Sequence, residues 1–251
     1  MSQISPVIVD IYALDDGGHP TVSALVNAGM PWAGLTLKVS EGTYYPSLKQ
    51  SAWIKTYWPL TRTLAERAHR YGQNFFRGAY HYFRVQESAL EQVELFLKTI
   101  DDAGGWGPGD LLPMVDLESS ENPPVIAPQL VIDQVSKFSE LMEQLHGRRP
   151  ILYAGSYVRD LGIKSHMGAS YLWTAAYGST LPAHLYLDMG WRLDELLAWQ
   201  MQGTEFYSGP AGYPRQCPIG PGPNDLSAIT IDNGATPDEQ LQWMRDNLLG
   251  A

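Results

Sequence analysis

The chain of 251 residues is long enough to bury a substantial core, and 44% hydrophobic against 18% charged residues marks it as globular. A net charge of −10 argues against nucleic acid as a partner, and no apolar run or basic amphipathic stretch suits a membrane. The single cysteine, Cys217, excludes an internal disulfide framework and a cysteine metal site; the six histidines show no ligand spacing, so neither metal nor cofactor is expected.

The opening Met-Ser-Gln-Ile-Ser-Pro has no basic segment and no long apolar stretch, so synthesis in a cytoplasm without a standard export signal is expected. Val7–Tyr12 reads as a first strand and Leu35–Val39 as a second. Residues Ser47–Tyr71 carry helical periodicity, with Pro59 as an expected break. Phe75–Phe83 is a third strand and Glu87–Asp102 a helix with acids in its first turn. Leu111–Leu117 is a fourth strand, Pro128–Leu145 a helix opened by proline, and Ile151–Ala154 a fifth strand. Beyond Ser156 the alternation stops. Tyr171–Ala175, Leu197–Gln202 and Ala228–Ile231 read as three strands without full helices between them, and Gly203–Asp225 is a Gly/Pro-rich loop. Thr236, Pro237 and Glu239 form a helix start for Pro237–Leu249. The βαβα order implies a parallel sheet covered by helices, and no linker divides the chain. The expected architecture is α/β: a single domain over residues 1–251, an irregular TIM-like (β/α) barrel with five βα units and three further strands.

Barrel strands deliver functional groups at their C-terminal ends. Strand four ends Val-Asp116-Leu-Glu118, two acids at i and i+2, which leave one strand face about 6.6 Å apart along the backbone. Two such carboxylates suit general acid–base glycoside chemistry. The other strand ends carry Asp10, Lys38, the Tyr80-His81-Tyr82 run, Tyr153, Trp173 with Tyr177, Trp199 with Gln200, and Asp232. Converging on one mouth, these acids and aromatics suit a sugar. His81 alternates with its tyrosine neighbours and is expected to face away from them as a structural histidine.

In order along the chain, Val-Asp10-Ile-Tyr, Lys38-Val-Ser-Glu-Gly-Thr-Tyr-Tyr, Gly-Ala-Tyr-His81-Tyr, Val-Asp116-Leu-Glu118, Leu-Trp173-Thr-Ala-Ala-Tyr, Ala-Trp199-Gln200 and Ile-Asp232-Asn resemble glycoside hydrolase family 25, the N-acetylmuramidase lysozymes. The resemblance spans residues 7 to 233. It implies an irregular barrel and cleavage of the β-1,4 bond between N-acetylmuramic acid and N-acetylglucosamine in peptidoglycan. With no export signal in view, it also implies a phage lysin or virion-associated enzyme acting on the bacterial wall. Tyr12 and Ala13 depart from the small hydroxyl-bearing residues often found after the first Asp, and with the sequence ending just past the barrel no wall-binding repeats of the phage type are expected.

On this reading Glu118 is the general acid. Asp116 is its partner, either orienting the substrate's 2-acetamido group or acting as nucleophile. Asp10 and Asp232 end the first and last strands and flank the same mouth. Lys38, Tyr45, Tyr82, Tyr153, Trp173, Tyr177, Trp199 and Gln200 are candidate substrate contacts; Lys38 also suits an internal salt bridge. Two other readings remain open. A chitinase-like hydrolase shares the Asp-x-Glu ending, but Leu111 and Met114 stand where it would carry upstream acids. A wall-binding or virion structural module on the same barrel would bind without turnover.

Overall fold

The computed structural model describes residues 4–11, 22–28, 31–44, 46–203, 210–213, 225–231 and 235–248. In chain order these give β1 (Val7–Ile11), α1 (Val22–Ala28), β2 (Trp32–Glu41), α2 (Leu48–Arg70), β3 (Phe76–Tyr82) and α3 (Ala89–Asp102). There follow β4 (Met114–Leu117), α4 (Pro128–His146), β5 (Ile151–Ala154), α5 (Ser156–Asp160), β6 (Tyr171–Ala175) and α6 (Ala183–Leu187). A 3-10 turn at Leu193–Glu195 leads into β7 (Leu196–Gln202), then β8 (Asp225–Ile229) and α7 (Pro237–Leu248). The eight strands close into a barrel in sequence order. Strands β1 to β7 run parallel, whereas β8 runs antiparallel to both of its neighbours, β7 and β1.

The strands read as apolar runs because both of their faces are buried. On β4, Val115 and Leu117 join the outer layer between barrel and helices, while Met114 and Asp116 point inward. On β3 the outer set is Ala79 and His81, and the inner set Phe76, Tyr80 and Tyr82. Ile8, Phe76, Leu112, Ile151, Leu197 and Ile229 fill the lower interior, so among the described residues the barrel is plugged below, and its cavity lies at the end where β1 to β7 finish. Gly34 permits the close pairing of β2 and β3: a Cβ there would meet the Phe76 carbonyl oxygen at 2.3 Å.

Local signals set the helices. Ser47 and Gln50 form a reciprocal cap at the start of α2, with Ser47 N–H donating to Gln50 Oε1 at 3.0 Å. Thr236 and Glu239 do the same for α7, and Gly147 ends α4 in the left-handed region at φ 83°. The expected break at Pro59 does not occur: α2 runs through it. The bond that proline removes would have gone to the carbonyl of Lys55, an exposed position that water can serve, while buried Ile54, Tyr57, Trp58 and Thr61 hold both sides of the helix.

One buried ion pair ties this layer together. Arg77, outward on β3 and fully buried, makes a two-pronged bond to Asp110, donates to the Trp58 carbonyl and lies 3.7 Å over the Trp58 ring. The pattern of apolar runs carried no sign of this clamp.

The last strand differs from expectation in place and polarity. Residues Asp225–Ile229 form β8, rather than Ala228–Ile231, and the strand runs opposite to the other seven. Its C-terminal end therefore points away from the mouth, where Ile229 and Ile231 pack with Leu241 and Met244 of α7.

Candidate active site

The open end of the barrel holds a cavity of about 310 Å³. Strand alternation places its walls. Asp10 comes from β1, Thr36 and Lys38 from β2, Tyr80 and Tyr82 from β3, and Asp116 with Glu118 from the end of β4. Tyr153 of β5, Trp173 of β6, Tyr177 beyond it and Gln200 of β7 complete the arc, and Asp225 and Ser227 of β8 close it. Most candidate residues thus meet in one place. Tyr45 and Asp232 lie outside the described residues.

Trp199 is a correction. It belongs to the outer layer, and its indole N–H donates to the Ala176 carbonyl at 2.6 Å, away from the cavity. Gln200 beside it takes the inward position, as strand alternation requires.

Asp225 is the functional candidate that the sequence reading passed over. It sits opposite Asp10 in the antiparallel β1–β8 pair and lines the cavity. A strand end was sought at the C-terminus of the last strand, but an antiparallel strand presents its N-terminal residue to the mouth. The Asp-Leu-Ser alternation of residues 225–227, with Asp225 and Ser227 inward, is the signal that would have found it.

Burial and neighbouring charge shape the acids. Burial pushes Asp116 well above the ordinary carboxylate range; the Glu118 charge adds to this and the Lys38 ammonium opposes it. Burial also raises Glu118, with the Asp225 charge adding and Lys38 opposing. Two interacting carboxylates in one buried site do not both ionise readily, so the pair holds a proton into the pH range where free carboxylates have lost theirs. Asp116 Oδ1 is buried and accepts no hydrogen bond among the described residues.

Lys38 Nζ lies 2.6 Å from Glu41 Oε2 and 4.6 Å from the centre of the Tyr82 ring. The two residues are three apart, a spacing that normally puts side chains on opposite strand faces. A register shift between Lys38 and Ser40 inserts a bulge and brings Lys38 and Glu41 together. Arg84 holds the other oxygen of Glu41 and pairs with Glu121 at 3.2 Å. Lys38 is therefore both a lining residue and an internal salt-bridge partner.

Hydrogen bonds to the backbone fix the segment after β4. The Tyr82 hydroxyl shares a hydrogen bond with Ser120 Oγ and accepts from the Glu121 N–H at 3.2 Å. Asn122, which the sequence reading did not single out, donates from Nδ2 to the carbonyls of Phe83 and Glu118, each at 2.8 Å. The Trp173 indole donates to Ser227 Oγ at 2.9 Å, and burial with the nearby Asp10 and Asp116 charges raises the Tyr80 phenol well above its ordinary range. Tyr177 is half exposed at the rim, its ring lying over Gly203, where a Cβ would meet it at 2.8 Å.

His81 faces outward as expected. Its Nδ1 lies 2.8 Å from Ser40 Oγ and its Nε2 3.0 Å from Gln92 Oε1, with the ring stacked on Phe138. Gln92 donates its amide nitrogen to the Arg84 carbonyl, so its oxygen faces the histidine and the ring carries its proton on Nε2. Complete burial lowers its pKa to about 4.

The set can transfer a proton, place negative charge beside it, and hold an apolar-faced polar ring between aromatic walls. No group of three or more potential metal ligands occurs among the described residues.

Comparison with known proteins gives three findings. The family model for glycosyl hydrolases family 25 matches residues 22–209. The uncharacterized Escherichia coli K12 protein YegX is 32% identical over 116 residues, a stretch covering 46% of this chain and 39% of YegX. The chain also superposes on solved structures. A muramidase from Trichobolus zukalii gives a TM-score of 0.65 at 20% identity, covering 97% of this chain and 100% of that one. A family 25 glycosyl hydrolase from Bacillus anthracis gives 0.65 at 18%, covering 96% and 94%. The catalytic domain of endolysin ply40 from Listeria monocytogenes bacteriophage P40 gives 0.59 at 15%, covering 98% and 99%. At these identities the likeness is one of fold.

Proposed function

The chain belongs to glycosyl hydrolases family 25, and from that membership we propose that it is a peptidoglycan hydrolase cutting the β-1,4 bond between N-acetylmuramic acid and N-acetylglucosamine. The observation that carries this reading is the Asp116–Glu118 pair on the inner face of β4, both raised toward the protonated form at the wall of a cavity that suits a sugar.

Glu118 is the general acid. It gives its proton to the glycosidic oxygen as the bond from that oxygen to the anomeric carbon breaks. Asp116 takes the acetamido N–H on its unfilled Oδ1, so the acetamido carbonyl oxygen closes onto the anomeric carbon. Water then opens the ring so formed, losing a proton to Glu118, and the starting configuration returns. Asp10 and Asp225 keep the site negative, and the Asp225 charge sustains the raised Glu118. Lys38 limits that repulsion, and Tyr82, Trp173 and Tyr177 carry sugar faces and rims.

The wall is the site of action, with delivery as a phage lysin or virion component; the resemblance to a phage endolysin's catalytic domain supports this. Among the described residues no helix is long and apolar enough to cross a membrane.

Digestion of purified peptidoglycan, with the new reducing ends identified by mass spectrometry, tests the reading. Muramic-acid ends are expected. Release of chitin oligosaccharides with peptidoglycan left intact, or wall binding with no cleavage at all, overturns it in favour of a chitinase-like enzyme or a structural module.

A further inference from the structure

Strand β4 is four residues long, and it parts from its neighbours just before the acid. Its register with β3 ends at Asp116, whose carbonyl accepts from the Phe83 N–H at 2.8 Å, and its register with β5 ends at Leu117. The next rung of a parallel ladder would run from the Glu118 N–H to the Phe83 carbonyl. The side chain of Asn122 donates to that carbonyl instead. Glu118 is thus the first residue beyond the strand, and Ser119, Ser120 and Glu121 after it are exposed. The chain turns back inward at Asn122, which is buried.

All three hydrogen-bonding directions of the Asn122 amide are set there. Its Nδ2 donates to the carbonyls of Phe83 and Glu118, and its Oδ1 accepts from the Val85 N–H, each at 2.8 Å. A carbonyl only accepts and a backbone N–H only donates, so these partners fix which end of the amide is which. One buried side chain therefore ties the backbone of Glu118 to the two residues that continue β3. We propose that Asn122 is a positioning residue for the general acid: by holding the Glu118 carbonyl against the end of β3, it aims the Glu118 carboxyl into the mouth. The inference rests on the reading of Glu118 as the proton donor. A proton donor works only from a fixed place beside the bond it cleaves, and the sheet no longer supplies that place once β4 has ended.

Other ties reach the same segment but not the acid itself. The Tyr82 hydroxyl meets Ser120 and the Glu121 N–H, Arg84 pairs with the Glu121 carboxylate, and the Tyr157 hydroxyl donates to the Pro123 carbonyl. Asp10, Lys38, Asp116 and Asp225 line the cavity with Glu118, as do the phenols of Tyr82, Tyr153 and Tyr177. These groups keep their identity when Asn122 alone is changed, so a difference between variants at that position reports the hold on Glu118.

The test is a double-mutant cycle in the full chain on solubilised peptidoglycan, comparing wild type, Asn122→Ala, Glu118→Gln and the double variant, with rates taken per folded molecule. Asn122→Ala is expected to lower kcat by about 10- to 100-fold with KM little changed, the scale of a misplaced reacting group. In the Glu118→Gln background the same change should cost nothing further, because there is no proton left to aim. A carbon-13 NMR titration of the Glu118 carboxyl runs beside it. Burial raises that carboxyl in the native chain, so a carboxyl released from its place should titrate at a lower midpoint. A lower thermal midpoint with kcat unchanged overturns the proposal, since Asn122 would then be a structural anchor alone. So does a rise in KM with kcat kept, an equal loss in both backgrounds, or an unmoved Glu118 midpoint. Should Asn122→Ala fail to fold, Asn122→Asp takes its place in the cycle: it keeps the size and the acceptor for Val85 while removing both amide donors. Absence of wild-type hydrolysis would sink the functional reading and leave the Glu118 midpoint to judge the placement.

Discussion

Asp10 of β1 sits directly across from Asp225 of β8 in an antiparallel pair, so the first and last strands of the barrel bring two carboxylates side by side at the mouth. They meet because β8 runs against its neighbours. With Asp116 and Glu118 they make the mouth strongly negative, and Lys38 is the cation that faces them across it.

That juxtaposition makes Asp225 a modulator of the proton on Glu118. The Asp225 charge raises Glu118, so Asp225→Asn lowers the pKa of Glu118. A general acid works in its protonated form, so the alkaline limb of the activity profile should move to lower pH. Measurement of kcat/KM against pH on solubilised peptidoglycan checks this; an alkaline limb left in place or moved upward contradicts it.

Glu118→Gln removes the transferable proton while keeping the shape of the side chain. Turnover should fall by about 10²- to 10⁴-fold, the usual contribution of a general acid. The thermal midpoint should stay at or above that of wild type, since a raised carboxyl is replaced by a neutral group of the same size. Reducing-end assays and circular dichroism on the same preparation make the comparison. Near-normal turnover in a folded variant would remove Glu118 from the mechanism.

The Arg77–Asp110 clamp lies outside the cavity, so its loss should read as stability rather than chemistry. Asp110→Asn leaves a buried guanidinium without its charge partner, which costs about 3 kcal/mol. In a chain of this size that lowers the thermal midpoint by roughly 10 °C. Activity per folded molecule at low temperature should be unchanged.

His81 sets an acid limit on stability. Its folded pKa is about 4, below the ordinary value of 6.5 for an unfolded histidine. The native state therefore resists a proton that the unfolded chain binds. The stability tied to this residue is complete above pH 6.5 and is lost as pH falls toward 4, by on the order of 3 kcal/mol. Denaturant midpoints taken from pH 7 to 4.5 should fall in wild type, and the fall should be shallower in His81→Gln.

Much of the scaffold was legible in the residues. The β5 and β6 boundaries follow from apolar runs closed by polar residues, and the starts of α4 and α7 from Pro128 and from the Thr236–Glu239 cap. The outward turn of His81 followed from alternation alone. Alternation misled where the backbone broke its own period. The bulge between Lys38 and Ser40 brings Lys38 and Glu41 onto one face, a pairing that strict period-two reading denies. Trp199 was assigned to the mouth together with Gln200 from the middle of strand seven, but its parity on β7 turns it outward.

The sequence by itself determined a barrel of alternating strands and helices and placed Asp116 and Glu118 together, because apolar periodicity and a two-residue spacing are local properties of the chain. Only the tertiary structure decided which way β8 runs. A period of two reads the same in either direction, and polarity is settled by pairing with β7 and β1 when the barrel closes. That closure brought Asp225 to Asp10, and it joined Tyr153 to Gln200, a contact between residues 47 positions apart. The acids were visible in the chain; the neighbours that govern their protons came from the fold.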